Sequence, residues 1–273
     1  MLTAVLAVGD LPQPSPEDAQ PLSTPPQVRD LAEALDETEA LLAAGARVVL
    51  AVHATWDQPA TETVRTLRGL VGRGTVVLVP SPLPPLAVFA VAAQLSALRE
   101  HLALPGQLVA AADPVAARMV VIARMASVAK LGHPAPTVAQ HARSWLPGTG
   151  FLVQVAPQES VMPMDGDGAA IAAFADLPMA AATILHAAGE GAHEEFWATD
   201  AVVPALKPRR AVGLSAAGQR AYYGTAKVIE VVGYPDELDL AAIELHACRW
   251  CAEPVASSPC PFCGCRSAAE VSA

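Results

Sequence analysis

Cysteine is missing from the first 247 residues of this 273-residue chain. A disulfide framework spread across a secreted domain is thereby excluded, and any thiol chemistry is confined to the last stretch. Positive charge is scarce as well. Three of the 17 basic residues are lysine, 27 residues are acidic, and the formal net charge is −10. Phosphate binding draws chiefly on Lys and Arg, so broad nucleic-acid affinity is disfavoured. Aromatics make up 4% of the chain, too few for a base-stacking platform. A long uninterrupted apolar run is also lacking: the alanine-rich stretch 168–189 contains Asp176 and Pro178, which predicts a buried helical pair broken there and no membrane span. Met1–Asp10 has no basic n-region, so no secretory signal is expected and the location is expected to be intracellular, in the cytoplasm.

Several catalytic and nucleotide-binding motifs are absent too. No G-x-G-x-x-G or G-x4-G-K-[ST] follows a strand pattern, which removes the motif warrant for a dinucleotide or a P-loop phosphate. His193-Glu194-Glu195-Phe196-Trp197 lacks a second histidine one turn on, and Asp165-Gly166-Asp167-Gly168 lacks the later acids of a calcium loop and reads as a turn. Ser215 is followed two residues later by alanine, so it is not a nucleophile elbow.

The first 160 residues alternate short apolar, β-branched runs with longer alanine-leucine segments, the pattern of a mostly parallel sheet with crossover helices. Strands are expected at 2–8, 47–53, 75–79, 107–112 and 151–155, and helices at 27–44, 60–71, 86–104, 114–131 and 137–145. Glycines at 45, 72, 74, 106, 148 and 150 mark the returns to the sheet. The runs are apolar throughout, as a sheet covered on both faces requires. The segment 11–26 carries six prolines and is expected as a loop outside the sheet. Beyond it the organisation reads as a helical segment at 161–200, a small β segment at 201–245, a knuckle region at 246–266 and a tail at 267–273. In the β segment, strands are expected at 222–233 and 238–246.

Open α/β sheets bind ligands at the carboxyl ends of their strands. That edge is expected to carry Gly9, Asp10, His53, Thr55, Trp56, Asp57, Ser81, Asp113, Gln158 and Glu159. A histidine among carboxylates is a plausible acid–base group, with His53 as base and Asp10 or Asp57 as its partner in a hydrolase or transferase. Each carboxylate also has a structural reading, because Asp57 and Asp113 stand where helices begin and can cap them. The only basic concentration runs through Lys207, Arg209, Arg210, Arg220 and Lys227, with no acid from 201 to 229. It reads as a solvated cluster or as a patch for an acidic partner or nucleic acid.

All five cysteines lie near the C-terminus: Cys248-Arg249-Trp250-Cys251, eight residues, then Cys260-Pro261-Phe262-Cys263-Gly264-Cys265. Two C-x2-C pairs offer four thiolates, a set suited to tetrahedral zinc, so Zn2+ held by Cys248, Cys251, Cys260 and Cys263 is expected. A redox dithiol needs one pair and leaves the second without a purpose. Cys265 is the odd thiol, either a replacement ligand or free, and His246 reads as a strand residue flanking the knuckle, with a spare ligand as the alternative.

The 246–266 stretch resembles the short zinc-ribbon family, in which paired knuckles of the C-P-x-C-G type clasp one ion. Cys260-Pro261-Phe262-Cys263-Gly264 matches that pattern, whereas Cys248-Arg249-Trp250-Cys251-Ala252 lacks its proline and glycine. The resemblance implies a structural ion and a module that binds a protein or nucleic-acid partner. Trp250 and Phe262, inside the two loops, are expected as exposed anchors for another protein or for self-association. On these grounds the chain reads as a zinc-binding assembly component. An enzyme at the strand edge is the alternative, and nucleic-acid binding through 207–227 and the ribbon is a second.

Overall fold

Two sheets close over a single buried helix. The computed structural model describes residues 3–14, 22–146, 148–164, 166–192, 196–237 and 243–266. Strands β1 (Thr3–Val8), β3 (Gln27–Val28), β4 (Val48–Ala54) and β5 (Val76–Ser81) form a parallel sheet in the order β3-β1-β4-β5. A second sheet takes β2 (Gln13–Pro14), β6 (Val120–Met125), β7 (Phe151–Ala156), β8 (Ser160–Pro163), β9 (Ala182–Ala188), β10 (Arg210–Ser215) and β11 (Val228–Pro235). Its order is β2-β10-β9-β11-β6-β7-β8, with β9 and β10 parallel and the other pairs antiparallel. Two short strands, β12 (His246–Ala247) and β13 (Pro254–Val255), pair with each other. The helices are α1 (Leu31–Ala43), α2 (Gln58–Val71), α3 (Pro85–Leu98), α4 (Pro105–Ala110), α5 (Ala112–Ala117), α6 (Val138–Arg143), α7 (Gly168–Ala172), α8 (Val203–Leu206) and α9 (Gln219–Tyr223). The fold is therefore mixed α/β, with one parallel and one mixed sheet.

The residue pattern explains the layers. Every residue of β1 and β4 is buried, because α1 and α2 cover one face of the parallel sheet and α3 the other. Helix α3 is apolar on all sides and buried from Pro85 to Ser96, lying between the parallel sheet and strands β9 and β11. A helix without a polar face has to sit in an interior, and this one joins the two sheets into one core. Helix α2 starts where Asp57 accepts from the Ala60 amide at 3.1 Å, and stops at Gly72 with φ +120°.

The parallel half and the helices around it follow the sequence expectation, as do α6 and the strand β7, although β7 lies antiparallel in the second sheet and not in the parallel one; much of the rest departs from it. The run 107–112 is helical, because Pro105 opens α4 and the Gln107 side chain accepts from the Leu104 amide at 3.2 Å. Short apolar runs do not reveal their class by periodicity alone. The helix expected over 114–131 gives way at Val120-Val121-Ile122 to β6. The helical pair expected over 168–189 is one short helix followed by β9, whose Ala-Thr-Ile-Leu-His-Ala-Ala is drawn into the sheet by its neighbours β10 and β11. The strand expected at 222–233 begins only at Val228 and lies inside the large sheet instead of a small separate one, while Tyr222 and Tyr223 belong to α9. Of the 238–246 strand, residues 238–242 lie outside the described residues. Gln13 and Pro14 of the proline-rich segment do join a sheet, pairing with Ser215 and Leu214 at its edge, a position that tolerates proline.

Candidate ligand-binding edge and candidate metal centre

The carboxyl ends of β1, β4 and β5 meet α9 across the gap between the sheets. Gly9 takes φ +121°, and a Cβ there would lie 2.9 Å from the Asp57 carboxylate. Asp10 Oδ2 accepts from the Gly218 amide at 2.9 Å, tying the parallel sheet to the start of α9. Glycines at positive φ, Gly218 and Gly224, bracket that helix. Trp56 Nε1 donates to Leu83 O at 2.7 Å, and its ring meets Tyr222 edge-on at 5.5 Å; Tyr222 in turn meets Tyr223 at 4.8 Å. The Thr55 amide donates to Ser81 O at 2.9 Å, leaving Thr55 exposed at the strand end and Ser81 buried beside it.

The sequence-expected acid–base residues do not converge. His53 is buried, its Nδ1 lies 3.4 Å from Ala51 O, and burial lowers its pKa below the usual histidine value. Among the described residues no hydrogen bond joins it to Asp10 or Asp57. Asp10 serves Gly218 and Asp57 caps α2. Asp113 is exposed in the first turn of α5; the 107–112 run before it is helical and not a strand, so Asp113 does not stand at a strand end.

Sequence reasoning missed a polar cluster behind this edge. Glu230 of β11 has no solvent exposure, and its carboxylate accepts from Gln219 Nε2 at 3.1 Å, from the Tyr223 hydroxyl at 3.2 Å and from the Leu86 amide in the first turn of α3. Burial nevertheless pushes its pKa up to about 7, and burial with the Glu230 charge lifts Tyr222 and Tyr223 well above the usual tyrosine range. The Tyr222 hydroxyl is buried with no partner among the described residues. One signal was available: Glu230 is the only charge in the apolar run Val228–Tyr234. A second feature, a cleft of about 940 Å³, opens beside the outer face of the large sheet; there Arg124 stacks over Trp197 at 5.3 Å and Trp197 Nε1 donates to Asp167 at 2.6 Å.

The sulfurs of Cys248, Cys251, Cys260 and Cys263 all lie within 4.8 Å of one another, with Cys248–Cys263 and Cys251–Cys260 both at 3.7 Å. A tetrahedron with metal–sulfur bonds of about 2.3 Å has edges of about 3.8 Å, so the four thiols can hold a metal ion. Each pair turns tightly: Ala252 N donates to Cys248 O at 2.9 Å and Gly264 N to Cys260 O at 2.8 Å. Both turn residues adopt left-handed φ, +60° at Ala252 and +79° at Gly264. Gly264 does so freely and Ala252 at a cost of about 1 kcal/mol, the penalty anticipated from the missing glycine. Knuckle amides of Cys251 and Trp250 bring the Cys248 thiol down to about 6, and the Cys265 amide lowers Cys263, while burial pushes Cys251 up to about 12 and raises Cys260. A cation among the sulfurs offsets that desolvation. Cys265 and His246 stand outside the four-sulfur group.

The knuckles are built into the core. Cys248, Val255, Cys260 and Phe262 join the cluster around α3, and a Cβ on Gly106 of α4 would collide with the Pro254 carbonyl. Phe262 is 2% exposed, against 76% for Trp250, so the expected pair of exposed anchors is not there: one ring faces solvent and the other fills the interior. Lys207 ends α8, Arg210 starts β10, and Arg209 pairs with Asp236 at 3.1 Å.

No family model and no curated protein matches the sequence. The fold is similar to a DegV family protein from Corynebacterium glutamicum at 12% identity, covering 88% of this chain and 98% of that one with a TM-score of 0.61. A DegV lipid-binding protein from Thermotoga maritima is similar at 12% identity, 88% and 100% coverage and TM-score 0.59. So is a DegV family protein from Eubacterium eligens loaded with heptadecanoic acid, at 12%, 86% and 100%, and 0.58. These likenesses show the fold. They also overturn the reading of the chain as a zinc-dependent assembly component with a protein or nucleic-acid partner. That reading rested on about twenty C-terminal residues, whereas the similarity covers 86–88% of the chain and is to proteins described as lipid-binding or loaded with a fatty acid. No helix among the described residues is long and apolar enough to cross a membrane.

Proposed function

We propose that this chain binds a fatty acid or a similar single-chain lipid carboxylate between its two sheets. The observation that carries the reading is the similarity across 86–88% of the chain to proteins described as lipid-binding or loaded with a fatty acid. The strand edge suits an amphipathic ligand. Thr55 and Ser81 offer hydroxyl donors for the carboxylate at the ends of β4 and β5, and the Trp56–Tyr222 pair offers an apolar wall for the acyl chain. The test is organic extraction of the purified protein, followed by titration of the stripped protein with heptadecanoic acid. One acyl chain per protein is expected, with weaker binding in Thr55→Val/Ser81→Ala. No acyl chain in the extract together with no binding on titration would overturn the reading.

A second reading concerns the C-terminal thiols. We propose that Cys248, Cys251, Cys260 and Cys263 hold a zinc ion in a ribbon-like knuckle pair, with a structural role. The near-tetrahedral sulfur spacing supports it, and zinc supplies there a closed-shell cation that offsets half of the thiolate charge. Elemental analysis should find one zinc per chain, lost in Cys260→Ser/Cys263→Ser; protein free of zinc after purification without chelators would refute it.

A further inference from the structure

Four thiolates around a divalent ion carry a net charge of −2, and in a partly buried site that charge has to be balanced nearby. Helix α2 supplies a candidate. Arg68 Nη2 donates to Pro261 O at 2.8 Å and to Phe262 O at 3.0 Å. Those carbonyls belong to the peptide groups Pro261–Phe262 and Phe262–Cys263. The amides at the other ends of the same two groups, those of Phe262 and Cys263, hydrogen-bond the Cys260 sulfur. The guanidinium thus acts through two peptide units on one ligand atom. Polarising a carbonyl strengthens the donation of its own amide, so a cation on the oxygen side makes a better thiolate on the nitrogen side. Arg68 is half-buried, and its Nε is buried with no hydrogen-bond partner among the described residues. A second cation adds to the field on the same knuckle: Arg73 Nη1 lies 3.7 Å from where a Cβ of Gly264 would be. Around Cys248 and Cys251, Arg249 is exposed, and among the described residues no hydrogen bond ties it to the first knuckle.

We infer that Arg68 is a positioning residue of the metal centre, which holds the Cys260–Cys263 knuckle in its ligating shape, balances the thiolate charge, and anchors the metal to the parallel-sheet half of the protein. The inference rests on the zinc reading above. Residues outside the ligand set that orient ligands typically change metal affinity by roughly 10–100-fold. Arg68 is not one of the four sulfur ligands and bonds carbonyls of the knuckle instead, so its loss should weaken binding without changing the ligand set.

The experiment is chelator competition for Zn2+ on the full chain, repeated with Co2+, whose visible spectrum reports tetrahedral thiolate ligation. Expected for Arg68→Ala is one equivalent of metal bound roughly 10–100-fold more weakly with an unaltered Co2+ spectrum, and for Arg68→Lys an intermediate loss, because charge is kept and the double donation is not. Arg65→Ala, on the exposed face of the same helix, removes the same charge and should leave affinity unchanged. Wild-type protein that takes up no zinc would overturn the zinc reading and this inference with it. Wild-type protein that binds one equivalent, with Arg68→Ala and Arg68→Lys equally tight or Arg65→Ala equally weak, would overturn the inference alone. Should Arg68→Ala not fold, the Arg68→Lys affinity relative to wild type decides.

Discussion

The Tyr223 hydroxyl donates across 3.2 Å to a Glu230 carboxylate that is completely shut off from solvent. The pair stands at the centre of the molecule, where α9, β11 and the first turn of α3 meet, and Gln219 and the Leu86 amide complete the shell around the acid. Three donors favour the ionised form and burial opposes it; burial prevails, since the pKa rises to about 7 from 4.5.

That rise sets the sign of a pH dependence. Between about pH 4.5 and 7 the folded state holds a proton that the unfolded state has released, so stability falls as pH rises through that window and is level above it. The full effect is on the order of 3 kcal/mol. In Glu230→Gln the fall should largely disappear, since the amide carries no titratable proton, and Gln219 Oε1, which has no partner among the described residues, is available to accept from it. Denaturant unfolding at pH 5 and pH 8 measures it; equal slopes in wild type and variant would remove Glu230 as the cause.

The two knuckle aromatics should behave oppositely. Phe262→Ala removes a ring from the main core and should cost about 3–5 kcal/mol. Trp250→Ala, at an exposed site, should change stability by no more than about 0.5 kcal/mol. Thermal unfolding of both variants, zinc-loaded, checks this.

Gly106→Ala should separate the knuckles from α4, because the added methyl meets the Pro254 carbonyl and neither backbone can yield cheaply. Faster proteolysis within 246–266 and a lower melting temperature are expected. Unchanged protection would show that the contact can relax.

Asp10→Ala should release the start of α9 from the parallel sheet. The carboxylate accepts from the Gly218 amide near the surface, so the loss should be about 1 kcal/mol, with faster hydrogen exchange at Gly218 and through α9. Exchange confined to its wild-type rate would refute the tie.

The parallel sheet and its helices were legible because each element is specified locally: β1 and β4 are apolar runs interrupted only by Thr3 and His53, Asp57 and Gly72 mark the ends of α2, and α3 has no polar face. The cysteine grouping was legible for the same reason, since ligand spacing is local. The second sheet was not. Strand β9 is mostly alanine and small residues, and it becomes a strand because β10 and β11 flank it from later in the chain. The Glu230 cluster escaped for a related reason, because its donors come from α9 and α3, and a lone acid in a strand run does not name them.

By itself, then, the sequence determined a parallel α/β layer, its strand-end edge and a four-thiol set with metal-ligand spacing, all of which follow from periodicity, capping and spacing over a few residues. Tertiary structure decided that a second, mixed sheet closes over α3, that Phe262 packs inward while Trp250 does not, that Arg68 reaches the second knuckle, and that Glu230 sits buried near neutrality. These outcomes depend on pairings between segments far apart in the chain, whose free energy comes from burial and partner geometry that exist only once the sheets have met.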